Sequence, residues 1–298
     1  MLKQIWQFCF MLLVPSMKAD GTQLYKNWQR KNVAVLKRIL AGFIVVIMLV
    51  GPTIAGPFED GVTAYKHGDY AEAAKSYRLA ADQGYANAQF NLGHMYATGR
   101  GVPQDYVEAM KWFRLAAGQG HVKAITSLGI LYAQGHGAPQ DYAEAAKWCR
   151  LAAEQGNAEA QYLLGYMLAT GKGVPENHAE AAKWYRLAAE QGNAEAQYFL
   201  GYMVANGQGV PQDYAEAAKL YRLAAGQGHA YAQFELGFLY ATGQGVPQDY
   251  VLAYMWSNLA AAQGHKVAVL NRNNAASKMS PDQIAEAQRL ARAWKPTN

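Results

Sequence analysis

The chain has 298 residues, 51% hydrophobic and only 16% charged, a composition that collapses into packed structure and excludes an intrinsically disordered chain. Its formal charge of +5 is concentrated in residues 1 to 56, where seven basic side chains face Asp20 alone; the rest holds 20 basic and 21 acidic residues, which excludes phosphate binding by bulk charge in the part that folds. Two distant cysteines, Cys9 and Cys149, exclude a disulfide framework and a thiolate zinc site.

The first element is a leader. Arg30, Lys31, Lys37 and Arg38 precede an uncharged apolar run from Ile39 to Val50, followed by Gly51-Pro52 and the small-residue stretch Thr53-Ile54-Ala55-Gly56. That order predicts a signal peptide cut after Ala55, with everything beyond it periplasmic or secreted. The alternative is an uncleaved inner-membrane anchor over residues 39–55, at the short end of the roughly 20 residues a spanning helix needs, with the body facing the periplasm. Residues 1 to 30 fit neither reading, and Met17 is one candidate for the true start.

The body repeats. Gln-Gly recurs with its glycine at Gly84, Gly120, Gly156, Gly192, Gly228 and Gly264, a constant step of 36 residues. The domain division is therefore a leader (1–56), a repeat region (57–264) and a tail (265–298). The repeat region divides into a shortened unit, 58–84, and full units 85–120, 121–156, 157–192, 193–228 and 229–264. A period of this size predicts a stack of supersecondary units rather than one globular core. Within each unit, apolar residues at helical spacing predict a first helix, a Gly- and Pro-containing loop breaks it, and a second helix follows. Asp69/Glu72, Asp105/Glu108, Asp141/Glu144, Asn177/Glu180 and Asp213/Glu216 have the spacing of capping boxes at the second helix. A glycine inside each first helix, Gly93, Gly129, Gly165, Gly201 and Gly237, is expected to admit close approach of the partner helix at Ala109, Ala145, Ala181, Ala217 and Ala253. Trp112, Trp148, Trp184 and Trp256 share one register position, with Leu220 in the remaining unit, and are expected in the core.

The recurring pattern Leu-Gly-x-Met/Leu-x-Ala-x-Gly-x-Gly-Val-Pro-x-Asp-Tyr-x-x-Ala-x-x-Trp, closed by Ala-Ala-x-Gln-Gly, resembles the Sel-one-like repeats, relatives of the tetratricopeptide repeats. The resemblance covers residues 85 to 264 in full. It implies an all-α, right-handed solenoid of antiparallel helix pairs, and protein contact or scaffolding rather than chemistry. Secreted bacterial members with a cysteine pair in every repeat have been linked to β-lactam compounds; those cysteines are missing here and the link is not carried over.

Catalytic and cofactor motifs are absent from the body. The loop tripeptides Gly99-Arg100-Gly101, Gly135-His136-Gly137 and Gly171-Lys172-Gly173 do not continue as phosphate-binding loops and read as turns. The histidines scatter, with His121 and His229 standing where Asn157 and Asn193 cap other units. No enzyme, cofactor or metal is expected.

Positions 3, 7, 10 and 14 of each unit vary most and fall on one stripe of the first helix. In the later units this stripe carries Leu163, Tyr166, Phe199, Tyr202, Tyr231 and Phe238, expected to form a continuous apolar patch on the concave face. That predicts a binder of another protein or an extended peptide, without catalysis and without nucleic acid, touching a membrane only through residues 39–55 if the leader is retained. Two alternatives stand beside it: a membrane-anchored structural spacer in an envelope assembly, and a periplasmic carbohydrate-binding module. The tail is expected to form capping helices, one over about Lys266 to Lys278 and one entered through Ser280-Pro281-x-Gln283. The second would lay Ile284, Ala287, Ala291 and Trp294 against the last unit near Leu252 and Met255.

Overall fold

The computed structural model describes residues 55 to 297, and the leader, with its cleavage or anchoring, lies outside the described residues. Fourteen helices and no strand occur among the described residues. The shortened unit contributes α1 (Ala55–His67) and α2 (Tyr70–Asp82). The five full units contribute α3 (Ala86–Thr98) and α4 (Tyr106–Gly118), α5 (Val122–Gln134) and α6 (Tyr142–Glu154), α7 (Ala158–Thr170) and α8 (His178–Glu190), α9 (Ala194–Asn206) and α10 (Tyr214–Gly226), and α11 (Ala230–Thr242) and α12 (Tyr250–Ala262). The tail forms α13 (Lys266–Ala276) and α14 (Pro281–Ala293). From α2 to α13 each helix packs chiefly on its neighbours in sequence, so the fold is a solenoid of antiparallel helix pairs.

Local chemistry explains the punctuation. Each first helix of a full unit ends on a left-handed glycine, and the second loop glycine serves the stack: a Cβ at Gly209 would stand 2.4 Å from the carbonyl carbon of His178 in the preceding unit. The capping boxes form only in part. Asp105, Asp141, Asn177 and Asp213 accept from the backbone N–H three residues on, but the glutamates do not return the bond. The N-cap amide is already committed, as Asp213 N–H donates to Val204 O at 3.0 Å across the loop. The glutamates pair with cations instead, Glu144 with Lys147 and Glu216 with Arg186. Asp69 makes no side-chain cap bond. Among the described residues the one complete box is at the tail, where Ser280 and Gln283 satisfy each other's backbone amides.

The interior is built one residue away from the tryptophan register. Trp112 is buried, but Trp148, Trp184 and Trp256 are only half-buried, and the Trp184 indole donates to Glu180 Oε1 at 3.3 Å. The buried position is the next one, occupied by Phe113, Cys149, Tyr185, Tyr221 and Ser257. These side chains fill the notch left by the first-helix glycine: a Cβ at Gly201 would meet the Tyr221 ring at 2.8 Å, and one at Gly93 the Phe113 ring at 2.8 Å. The glycine therefore admits a side chain as well as the partner backbone, whose Ala109 carbonyl oxygen is 3.2 Å from the same point.

Between units runs a ladder of buried glutamines. Gln197 Nε2 donates to Ala189 O of the preceding unit at 3.1 Å, while its Oε1 accepts from Gln227 Nε2 at 2.9 Å. Gln89, Gln161 and Gln233 repeat the arrangement, so each buried amide is satisfied and locks two units together. Gln227 and its counterparts are the glutamines of the Gln-Gly marker, which explains that dipeptide. The ladder breaks once, where Ile125 replaces the acceptor and Gln155 turns back onto Leu151 O.

Helix α14 packs on α12, burying Ala287 and Ala291 and meeting Tyr250, Val251 and Tyr254. The contact turns on Tyr254, whose hydroxyl accepts from Gln288, rather than on the expected Leu252 and Met255. The cap covers the second-helix layer, leaving Val267 and Leu270 of α13 exposed.

Candidate functional site

The variable stripe lies where three successive first helices come side by side. Near the start of the solenoid it borders a depression of about 400 Å³ lined by Phe58, Asn87, Phe90, Asn91, His121 and Lys123, contributed by α1, α3 and α5 with the cap and turn that open α5. Here the stripe is polar. Toward α11 it becomes aromatic, and its six predicted residues divide into two groups.

Tyr202, Tyr231 and Phe238 are exposed, at 41%, 58% and 41%. Leu163, Tyr166 and Phe199 are half-buried and pack against the core. Phe199 stacks on Tyr185 at 5.6 Å with an interplanar angle of 12°, and touches Tyr162, Tyr166 and Tyr198 edge-on or stacked. The Tyr166 hydroxyl accepts from Lys172 Nζ at 2.8 Å, tying the stripe to the loop of its own unit. Tyr162, Tyr166, Tyr185, Tyr198 and Phe199 thus form an aromatic wall, and of the six predicted residues Leu163, Tyr166 and Phe199 lie half-buried while Tyr202, Tyr231 and Phe238 face out.

Tyr231 extends this wall. It lies 6.0 Å from Tyr198 and 5.0 Å, edge-on, from His265 of the following turn. His229 and His265 beside it are caps, as is His121 three units upstream: Nδ1 of each accepts from the backbone N–H three residues on. Each ring also stacks on an aromatic of the preceding first helix, His229 on Tyr198 at 4.7 Å and His265 on Phe234 at 4.4 Å. His229 Nε2 is further held 3.3 Å from Glu195 Oε2. Burial lowers the pKa of His121, keeping it a neutral acceptor.

Glu235, at position 7 of its unit, is half-buried in the wall and no cation pairs with it among the described residues. Burial pushes its carboxyl above the usual range. Tyr162 and Tyr198 are raised to about 12, burial again being the main cause, so both remain neutral donors. Cys149 is likewise pushed up to about 12 by burial, a thiol packed as a small apolar group and not a nucleophile. Among the described residues no group of His, Cys, Asp or Glu is assembled to hold a metal. What the arrangement offers chemically is apolar contact with a few neutral hydroxyls, suited to side chains or backbone of a partner.

Sequence reasoning missed a second feature, a row of exposed leucines on the second helices: Leu79, Leu115, Leu151, Leu187 and Leu223, one in each unit but the last, where Leu259 is half-buried. Its signal was available, since all five share one register position, but an invariant leucine reads as core when periodicity is the only guide.

Comparison with known proteins gives consistent matches. The family profile described as Sel1 repeat matches six times, at residues 58–85, 86–121, 122–157, 158–193, 194–229 and 230–265. A crystal structure of a Sel1 repeat protein from Oxalobacter formigenes is similar at 35% identity with a TM-score of 0.64, over 70% of this chain and 85% of that one. Among curated proteins, an exopolysaccharide production negative regulator of Rhizobium leguminosarum bv. viciae is 43% identical over 53 residues, 17% of this chain and 20% of that protein. The protein of the same description from Rhizobium meliloti (strain 1021) is 32% identical over 88 residues, 23% of this chain and 33% of that protein. The matched regions thus span no more than a third of the curated relatives' length.

Proposed function

The chain belongs to the Sel1 repeat family, and from that premise we propose that it is an exported, non-catalytic scaffold whose first-helix stripe binds another protein or an extended peptide. One observation carries the reading: Tyr202, Tyr231 and Phe238 are exposed aromatics on neighbouring units, at positions the repeat leaves free to vary. A solenoid must keep its packing residues to preserve its register, so aromatic side chains held in solvent at the variable positions serve a contact outside the chain. Tyr231 is supported from within the chain, its ring 6.0 Å from Tyr198, which in turn meets Phe199 edge-on. An anchor so supported loses little entropy on binding.

Export rests on the order of charges and apolar residues before Gly56. The anchored-spacer reading keeps that leader and makes the repeats a structural spacer in an envelope assembly, and N-terminal sequencing of the mature protein separates the two: a start near Gly56 supports export of a free protein. The short matches to the exopolysaccharide regulators extend over a few repeats and support a shared scaffold rather than a shared role.

Capture of envelope proteins on the purified chain, compared with Tyr202→Ala/Tyr231→Ala, tests the binding face. Each anchor should contribute about 1 kcal/mol or more, so a specific partner should be retained at least tenfold less well by the double variant while helicity is unchanged. Equal capture by both proteins would refute the stripe as the binding face.

A further inference from the structure

After α14 the chain turns back along the solenoid surface, with Trp294 half-buried and Pro296 and Thr297 exposed. Trp294 leaves the helix in extended geometry and its ring meets Trp256 edge-on at 6.3 Å. The segment then runs along the end of α10: Thr297 N–H donates to Gly226 O at 2.8 Å, and Trp294 and Pro296 reach within 3.9 Å of where a Cβ at Gly228 would stand. A Cβ at Gly226 would come within 3.3 Å of Thr297 Oγ1, a tight contact that favours glycine at that point. The seat is a junction between two units, made from a glycine two residues before the Gln-Gly glycine and from the tryptophan of the next unit.

Only one other junction carries the same set. Three repeats upstream, Gly118, Gly120 and Trp148 occupy the registers of Gly226, Gly228 and Trp256, while the remaining junctions put Asp82, Glu154, Glu190 or Ala262 at the Gly226 register. The surroundings match as well. Arg114 donates to Tyr132 Oη at 2.9 Å as Arg222 does to Tyr240 Oη at 2.7 Å, a bond that Arg78 also makes to Tyr96 Oη at the Asp82 junction, whereas Arg150 and Arg186 are drawn away to Glu180 and Glu216. The leucine beside each glycine is open, Leu115 at 51% and Leu223 at 55%. At Gly118 and Gly120, however, nothing lies within 4 Å of a built Cβ.

We propose that the junction between units 85–120 and 121–156 is a second docking seat, for an extended segment of another protein with the chemistry of this chain's own terminus: an aromatic residue, one intervening residue, a proline, and a free backbone N–H after it. The proline presets the extended backbone, the N–H donates to the Gly118 carbonyl, and the aromatic residue packs on Trp148. Next to the tryptophan, Lys147 and Arg150 replace Met255 and Asn258, which gives this seat a charged rim; both cations are already paired, with Glu144 and Glu180. This surface belongs to the second helices and is independent of the first-helix stripe.

The test uses a fluorescent peptide of sequence Ala-Trp-Lys-Pro-Thr-Asn, titrated into the full-length chain and followed by anisotropy. Saturable binding is expected, weakened at least tenfold by Gly118→Glu and changed less than twofold by Gly226→Glu. Gly118→Glu installs the residue that Glu154 and Glu190 already occupy in equivalent helices, so its thermal melt should match the parent and report on docking alone. Concentration-dependent self-association of Gly226→Glu that Gly118→Glu abolishes would support the same seat, filled by the released terminus of a second copy. No saturable binding, or binding lost with Gly226→Glu and kept with Gly118→Glu, would overturn the proposal, the latter showing that the peptide only displaces the chain's own tail.

Discussion

The seam between paired helices and the stripe along the first helices lie a fraction of a turn apart on the same helices and obey opposite rules. In the seam the glycine is invariant across the full units and its filler is buried, whether Tyr221, Phe113 or Cys149. On the stripe, one register holds His94, Ile130, Tyr166, Tyr202 and Phe238, running from polar to aromatic along the solenoid. The difference shows what a repeat demands: every unit must present the same notch to its partner, whereas the outer face is read only by what binds it.

The comparison breaks most sharply at Tyr221→Ala. Emptying the notch beneath Gly201 should cost about 3 to 5 kcal/mol, measured by chemical denaturation, because a large buried ring is lost. A loss under 1 kcal/mol would mean the seam is not where stability resides. Filling the notch from the other side, with Gly201→Ala, should cost about 1 to 3 kcal/mol through overpacking, since the new Cβ has no room before the Tyr221 ring. A neutral or stabilising result, as helix propensity alone predicts for glycine to alanine, would show that the ring yields.

Trp184→Ala sharpens the boundary between the two regions. The indole is half-buried, so its loss should fall below that of Tyr221→Ala, near 2 kcal/mol, with altered hydrogen exchange confined to α7 and α8 and their neighbours. The smallest effect is expected at Glu235→Gln. Burial raises the folded pKa of Glu235 above its unfolded value, so between those values the folded state binds more protons and stability declines as pH rises. The glutamine variant should remove that decline and be slightly more stable at pH 7; a variant less stable at neutral pH would show that the carboxylate has a favourable partner.

Much of the architecture was legible because its signals are local. Helix starts and stops, the histidine caps at His121 and His229, and the complete box at Ser280 and Gln283 all depend on residues three or four apart. At the tryptophan register constancy does not mean burial, since Trp148, Trp184 and Trp256 are only half-buried. A cue to the true core existed: the notch residue follows the small alanine by one helical turn, as Tyr221 follows Ala217, so both point at the glycine. The varied identities from Phe113 to Ser257 hid it. The stripe was legible as variable, but its division into exposed Tyr202, Tyr231 and Phe238 and supporting Leu163, Tyr166 and Phe199 was not, because the stacking partners come from other helices.

The sequence by itself determined the period, the helix pairs, the caps and the place of every notch glycine, since each is set by spacing along one helix or by a backbone conformation that only certain residues adopt. Tertiary structure alone decided which neighbour of each tryptophan is buried, how Gln197 bridges to Ala189 and Gln227, and that Thr297 comes to rest on Gly226. Those contacts join residues far apart in the chain, and burial is a property of what the stack of units brings alongside, which no local period encodes.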